Sequence, residues 1–174
     1  MAQMIESLLH LSKLEIGRLN IKLVDLHQLA LQVLEENKPY PNPNLHCTID
    51  SLPPINTDPI LLHHVLFKLI ENAIKFSSKR EYPKIKISSF LSSAEIRISI
   101  KDNGVGFDMA EYDKLFGTFK RLQSGNEYQG DGLGLVYCKN AISKLGGRIW
   151  AQSILEEGSE FSFTLPYSCI PSSN

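Results

Sequence analysis

The chain has 174 residues and a net charge of −1, and 43% of its residues are hydrophobic. This size and composition suit one packed domain, and the near-neutral charge argues against a nucleic-acid or anionic-membrane partner. Its three widely spaced cysteines form no metal or disulfide motif and favour a reducing, cytoplasmic setting. We find no signal peptide, and no apolar run approaches the roughly 20 residues of a membrane-spanning helix.

The first elements are predicted from short-range patterns. Apolar residues at steps of three or four predict a helix over residues 1–16 that stops at Gly17. Residues 20–25 alternate like a short strand. Asp25 is placed to cap a helix that runs from there to about residue 37.

The middle of the chain carries the longest predicted helix. Asp58 and Pro59 combine a capping acid with a proline at the first helical position, and we expect the helix to reach about Ser77. Residues 45–50 alternate weakly and are predicted as a strand before this helix. After it, strong alternation predicts a hairpin formed by two strands, in residues 84–91 and 94–102.

The last part begins with a long irregular segment that contains one short helical turn near residues 112–116. A helix is predicted from Leu133 to Leu145, where two glycines end it. A second hairpin follows in residues 148–154 and 159–166. Because strands and helices do not alternate strictly, we expect an α+β fold, a two-layer sandwich in which helices cover a mixed, mostly antiparallel sheet.

One strand ends in an unusual way. Asp102 closes it, and two glycines follow at once in the sequence DNGVGF. A hairpin turn needs only one glycine or an Asn-Gly pair, whereas glycines also let the backbone approach a ligand. A fixed carboxylate in such a place is a good acceptor for an exocyclic amine. A bulged turn is the alternative interpretation.

The long helix has an asparagine in its interior, where this residue type is a poor helix former. Lys68, Asn72 and Lys75 fall at i, i+4 and i+7, so they share one face. Either this face carries function or it is an ordinary solvated surface.

A third motif, GDGLGL, spans residues 130–135 and leads into the next helix. Glycines before a helix N-terminus let backbone N–H groups point at a phosphate, and the helix dipole favours the anion. The same letters also suit the end of a flexible loop. Taken alone, this motif decides nothing.

Five segments, taken in chain order, resemble the N, G1, F, G2 and G3 boxes of the sensor histidine kinase catalytic domain. They are NAIKFS, DNGVGF, LFGTFKRL, GDGLGL and GSEFSFTLP. That domain belongs to the ATP-binding superfamily that also contains DNA gyrase, a heat-shock chaperone and a mismatch-repair protein. The resemblance covers about residues 25–166.

The N-terminal segment is similar to the end of the second helix of the family's dimerisation and phosphoacceptor hairpin. The resemblance therefore implies three parts: a remnant of the hairpin and its linker in residues 1–20, an ATP-binding catalytic domain in residues 21–168, and a loose tail in residues 169–174. None of the five histidines is followed by an acidic residue. The phosphoacceptor histidine is therefore expected on the first hairpin helix, which we expect this chain to lack.

The resemblance also implies how the site binds Mg·ATP. Asp102 would accept the adenine N6 amine, and Gly104 and Gly106 would let the chain pass close beside the base. Asn72 would supply its side-chain oxygen to Mg²⁺, an ion that suits one protein ligand together with phosphates and water. Lys75 would reach the phosphates from the next helical turn.

The resemblance implies, in addition, a mobile lid between Gly106 and Gly130. Phe116 and Phe119 would anchor this lid, and Arg121 would help to neutralise the phosphates. The hinge and the phosphate-facing start of the following helix would be framed by Gly130, Gly132, Leu133 and Gly134. The implied catalytic residues are Asn72, Lys75 and Arg121.

The implied reaction is transfer of the γ-phosphoryl group of ATP to a histidine nitrogen, which depends mainly on positioning and charge neutralisation. The implied partners are ATP, the histidine-bearing hairpin of the parent kinase, the receiver domain of a response regulator, and a second copy in a parent homodimer. No nucleic-acid partner is expected. We expect the chain to be inactive alone, because the phosphoacceptor is missing.

Two residues depart from the family's pattern. Lys68 stands four residues before Asn72, where hydrolysing relatives carry a Glu that activates water and the kinases usually carry Asn. A protonated amine cannot act as that base, so Lys68 either pairs with phosphate, Glu71 or His64, or weakens Mg²⁺ binding. Asp131, where kinases more often carry Thr or Ser, either repels phosphates or caps the next helix. The alternative function is a nucleotide-binding or dimerisation module that has lost catalysis.

Overall fold

The computed structural model describes residues 17–37, 42–117, 132–166 and 168. The predicted helix over residues 1–16 lies outside these ranges. The helices are α1 (Leu26–Glu36), α2 (Pro59–Ser77) and α3 (Gly134–Lys144), with a 3-10 helix at Met109–Lys114. The strands are β1 (Lys22–Val24), β2 (His46–Ile49), β3 (Ile55–Thr57), β4 (Lys84–Leu91), β5 (Glu95–Asp102), β6 (Ile149–Ile154) and β7 (Gly158–Pro166).

Five strands form the main sheet in the order β2-β4-β5-β7-β6. The neighbouring pairs β4–β5, β5–β7 and β7–β6 are antiparallel, whereas β2, at the edge of the sheet, runs parallel to β4. The predicted mixed, mostly antiparallel sheet is therefore confirmed. Both predicted hairpins are present, as β4–β5 and β6–β7.

One strand was not predicted from the sequence. Strand β3 has three residues and pairs antiparallel with β1, with Lys22 opposite Thr57, in a separate two-stranded sheet. Three residues are too few to show an alternating pattern, so only the long-range pairing reveals this strand.

Helices cover one face of the main sheet and form the second layer. The central strand β5 shows the alternation that this requires, because Ile96, Ile98 and Ile100 are at most 1% exposed while Arg97 and Lys101 face solvent. Helix α2 contributes four buried residues at helical spacing to the same core: Leu62, Leu66, Leu69 and Ala73. Burying each large apolar side chain contributes roughly 1.5–3 kcal/mol.

Asp58 starts α2 as the sequence predicts. Its Oδ1 accepts from the backbone N–H groups of Ile60 at 3.0 Å and Leu61 at 3.1 Å, and its Oδ2 accepts from the Asn20 N–H at 2.8 Å. The cap therefore also ties the segment before β1 to the helix that carries Asn72. Among the described ranges, no helix has the length and hydrophobicity to cross a membrane.

Candidate functional site

Asp102 ends the central strand β5, in register with Ile85 of β4 on one side and Ser159 of β7 on the other. The residue is only 4% exposed. The Gly104 N–H donates to Oδ1 at 2.7 Å, and the Ser159 hydroxyl donates to Oδ2 at 2.6 Å. A carboxylate offers about four lone-pair sites, so these two donors orient the group and leave it able to accept from a ligand.

The environment of Asp102 opposes its ionisation. Burial raises the pKa of this carboxyl above its ordinary value, since a charge is poorly solvated in the protein interior. The Ser159 hydroxyl and the Gly104 N–H act in the other direction, because they stabilise the carboxylate. Perturbed carboxyls of this kind are concentrated at functional sites.

The glycines of DNGVGF are required by contacts within the protein. A Cβ on Gly104 would lie 2.5 Å from the Phe76 carbonyl oxygen and 2.7 Å from Asp102 Oδ1. Gly106 has a φ of +63°, and a Cβ there would overlap the Ile154 carbonyl oxygen. These contacts explain why both positions are glycine, with no need for a ligand. That the chain passes close beside a nucleotide base at these two glycines stays a prediction.

Gly158 opens β7 at a point where two strands come very close together. Its φ is +121°, and a Cβ would overlap the backbone carbonyl of Asp102. The start of β7 can therefore approach the end of β5 closely enough for Ser159 to reach Asp102. Phe161 and Phe163 of the same strand are buried in the core.

The polar face of α2 carries Lys68, Asn72 and Lys75. The half-buried Asn72 side chain forms no hydrogen bond with any other residue that the structure describes. Lys68 Nζ lies 3.4 Å from Glu71 Oε2, one of the pairings expected from the sequence. Lys75 Nζ lies 4.7 Å from the centroid of the Phe76 ring.

The polar face of α2 extends from the neighbourhood of Asp102 to the start of α3. Lys68 Cδ lies 3.5 Å from the position that a Cβ of Gly134 would take, and the Val105 N–H donates to the Phe76 carbonyl at 3.1 Å. Lys68 and Phe76 are eight residues apart, which is about 12 Å along a helix. Asn72 lies midway, so the face can follow an elongated ligand from Asp102 to α3.

The start of α3 presents backbone N–H donors. Its N-cap is Leu133, which forms no side-chain capping bond, and Gly132 before it has a φ of +72°. The first N–H groups of a helix have no partner within the helix and favour an anion. Leu133 is fully buried.

A comparison by sequence identifies the family of the chain. Residues 57–168 match the family described as histidine kinase-, DNA gyrase B-, and HSP90-like ATPase. The chain belongs to this ATPase family. Cyanobacterial phytochrome A from Nostoc sp. (strain PCC 7120 / SAG 25.82 / UTEX 2576) is 42% identical to the ATPase domain over 119 residues, 68% of this chain and 15% of the phytochrome.

Solved structures agree with the family. The Acinetobacter baumannii histidine kinase AdeS matches the ATPase domain with a TM-score of 0.77 and 28% identity, over 95% of this chain and 77% of AdeS. Full-length ShkA in complex with AMPPNP has the same fold, with a TM-score of 0.81 and 23% identity over 99% of this chain and 36% of ShkA. The resemblance to a sensor histidine kinase ATP-binding domain, and its α+β fold, are thereby confirmed.

The segment between Gly106 and Gly130, which is predicted to be a lid, is described only as far as Gly117. The half-buried Phe116 packs against the core, with its ring centroid 6.2 Å from that of Tyr112 in an edge-on arrangement. Its role as an anchor of the lid stays a prediction. Four other residues singled out in the sequence lie outside the described residues: Phe119, Arg121, Gly130 and Asp131.

Two residues of the site escaped the sequence analysis. Ser159 directly follows Gly158, and pairing the second hairpin against β5 would have placed it opposite Asp102. Arg80 donates to the carbonyls of Asn103 and Gly104. It lies in a polar stretch after α2, and no local pattern distinguishes it from a surface arginine.

Proposed function

We propose that this ATPase domain is the catalytic domain of a sensor histidine kinase. It binds Mg·ATP and transfers the γ-phosphoryl group to a histidine on a dimerisation hairpin, for relay to the receiver domain of a response regulator. The observation that carries the proposal is the buried Asp102 carboxylate, oriented by the Gly104 N–H and the Ser159 hydroxyl. The parent protein is proposed to act as a homodimer in the cytoplasm.

The adenine end of the nucleotide is assigned to Asp102. A carboxylate accepts from an exocyclic amine, and a buried one does so without competition from bulk water. The phosphates then extend along α2 towards the start of α3, about 12 Å from the Asp102 end, where the first helical N–H groups supply positive charge. Lys75, nearer the Asp102 end of this face, would reach them from α2. Full-length ShkA, which shares the fold, was solved in complex with AMPPNP, and this supports an adenine nucleotide as the ligand.

The chemistry of Asn72 fits Mg²⁺. Its amide oxygen is a hard ligand on the face that leads to α3, and Mg²⁺ typically takes one or two protein oxygens together with phosphates and water. When bound, the ion would neutralise charge on the phosphates. Lys75 and Arg121 are proposed to add to that neutralisation.

Phosphoryl transfer is favoured over hydrolysis by Lys68. It occupies the position where hydrolysing relatives have a catalytic Glu, and it is paired with Glu71. A protonated amine cannot take a proton from water, whereas a neutral imidazole nitrogen already has a lone pair and needs no strong base. The similarity of this chain to the histidine kinase AdeS likewise gives no support to the alternative function, a nucleotide-binding or dimerisation module that has lost catalysis.

Calorimetric titration with ATP, with and without Mg²⁺, tests the proposal. We expect the wild-type domain to bind ATP and Asn72→Ala to lose affinity mainly when Mg²⁺ is present. Asn140→Ala, at an exposed position of α3, is the matched control and should behave like the wild type. Equal losses for Asn72→Ala with and without the metal would contradict its role, and absence of ATP binding would overturn the proposal.

The transfer step is tested by adding a separately made hairpin that carries its histidine, together with labelled ATP. We expect acid-labile phosphate on the hairpin. A hairpin that stays unlabelled while ATP binds would instead support the nucleotide-binding module. Release of phosphate in the absence of any hairpin would support hydrolysis.

A further inference from the structure

Arg80 joins two segments around the end of β5. Its Nε donates to the Asn103 carbonyl at 3.0 Å, and its Nη2 donates to the Gly104 carbonyl at 3.0 Å. The same Nη2 donates to the Glu156 carbonyl in the turn between β6 and β7. The Arg80 side chain is 33% exposed, so most of it is withdrawn from solvent. One guanidinium thus holds three backbone carbonyls.

The first of these bonds has a direct connection to Asp102. The Asn103 carbonyl and the Gly104 N–H belong to one planar peptide unit. Its oxygen accepts from Arg80, and its N–H donates to Asp102 Oδ1 at 2.7 Å. Bonds to charged groups are the stronger ones, and bonds in a chain polarise one another. Arg80 therefore acts on the carboxylate through a single peptide.

Other hydrogen bonds hold the loop after β5 in place but do not orient the Asn103–Gly104 peptide. The Asn103 side chain accepts from the Lys84 N–H at 2.7 Å and donates to the Tyr82 carbonyl at 3.0 Å. These bonds attach the loop to the start of β4. They involve the Asn103 side chain, whereas Arg80 contacts the peptide oxygen itself and so sets the direction of the N–H on its other side.

The ion pair of Arg80 with Glu156 does not account for the arrangement. Arg80 Nη2 lies 3.4 Å from Glu156 Oε2, and the Glu156 side chain is 71% exposed. An exposed pair of this kind typically contributes little. The bonds to the Asn103 and Gly104 carbonyls are the part of the arrangement that is partly buried.

We propose that Arg80 is a positioning residue for purine selection, and that it aims the Asp102 carboxylate through the Asn103–Gly104 peptide. This inference depends on the proposed nucleotide-binding function and extends it. Asp102 distinguishes a 6-amino purine from a 6-oxo purine, because a carboxylate accepts from an amine and repels a carbonyl oxygen. Arg80 should therefore affect ATP far more than inosine triphosphate, which carries the 6-oxo group.

The test compares wild type, Arg80→Met and Arg97→Met by calorimetry with both nucleotides. We expect Arg80→Met to lose about fivefold in ATP affinity and less than about twofold in inosine triphosphate affinity, as the loss of one hydrogen-bond chain implies. Arg97, whose guanidinium lies 5.4 Å from the Phe90 ring on the solvent face of β5, is the matched control and should change neither. Equal losses for both nucleotides, or an unchanged ATP affinity, would overturn the proposal.

Two further measurements separate positioning from stability. The NMR shift of the Gly104 amide proton in the nucleotide-free domain should move in Arg80→Met and stay in Arg97→Met; an unmoved Gly104 amide in the first variant would overturn the Arg80 proposal even if ATP binds. Should Arg80→Met fail to fold, Arg80→Lys takes its place, with the same two-nucleotide comparison, because a single ammonium cannot reach all three carbonyls. A wild type that binds neither nucleotide would refute the proposed function instead.

Discussion

Asp102 is 4% exposed, and both oxygens of its carboxylate accept hydrogen bonds. The burial that would shield its proposed bond to a ligand amine also makes its charge unfavourable while no ligand is bound. ATP affinity and the free energy of unfolding are therefore expected to depend on Asp102 in different ways. Two predictions separate them.

Replacing Asp102 by Asn changes one acceptor atom into a donor while the shape stays the same. We expect ATP affinity to fall by about 1–3 kcal/mol, because the ligand amine then faces a donor or loses its partner. Calorimetry measures the change. Asp50→Asn is the control, since Asp50 pairs with Lys86 at the surface, where its side chain is 49% exposed. An Asp102→Asn domain that binds ATP like the wild type would remove Asp102 from the site.

The raised pKa of Asp102 predicts a pH-dependent stability. A carboxyl whose pKa is raised on folding contributes stability below its unfolded pKa of about 3.9, and this contribution is lost as pH rises through the folded pKa. The free energy of unfolding of wild type, relative to Asp102→Asn, should therefore decrease from about pH 4 upward and then level off. Urea unfolding of both proteins across this range measures it. Parallel pH profiles would show that burial does not raise this pKa.

At the level of elements, the site is built where α2 meets the end of β5 and the start of α3. The two neighbouring elements approach α2 in different ways. The loop after β5 passes so close that a Cβ on Gly104 would meet the Phe76 carbonyl, whereas a Cβ on Gly134 would meet Lys68 at an ordinary contact distance of 3.5 Å. The glycine in the loop is required by packing, and the glycine of α3 is not.

This difference predicts opposite effects of the same substitution. Gly104→Ala should lower the free energy of unfolding by roughly 1–3 kcal/mol, because the extra methyl has no room beside the backbone. Gly134→Ala should leave it unchanged or raise it by up to about 1 kcal/mol, since alanine favours a helix. Urea unfolding without nucleotide compares the two. Similar losses in both variants would contradict the packing explanation.

At the level of the whole molecule, the segment that enters the domain contacts both helices of the site. The Asn20 N–H donates to Asp58 at the start of α2, and Lys144 at the end of α3 donates to the Gly17 carbonyl at 2.5 Å. A displacement of residues 17–20 would therefore change hydrogen bonds to both helices. This arrangement connects whatever precedes residue 17 to the site.

Residues 1–16 lie outside the described residues, and their predicted helix stays a prediction. Their apolar stripe, with Met4, Leu8 and Leu11 at helical spacing, would pack against a hairpin partner in the parent protein. Without that partner we expect concentration-dependent association that disappears when residues 1–16 are deleted. Analytical ultracentrifugation measures it. The same monomer with and without these residues would show that the stripe does not self-associate.

The sequence by itself determined what depends on neighbours along the chain. The Asp58-Pro59 start of α2, the polar face around Asn72, both hairpins and the acid at the end of β5 follow from caps and from periods of 3.6 and 2. These patterns come from the local geometry of helices and strands, which is the same in every fold. They placed Asp102, Asn72 and the glycines in the right elements before any tertiary contact was known.

Only the tertiary structure decided what depends on residues far apart in sequence. It put Ser159, 57 positions away, on Asp102, paired the three-residue β3 with β1, and set β2 parallel to β4. It also placed Arg80 on the peptide that holds Asp102. No local period encodes such contacts, because they arise only when strands pair across the sheet and bring distant backbone groups within hydrogen-bond distance.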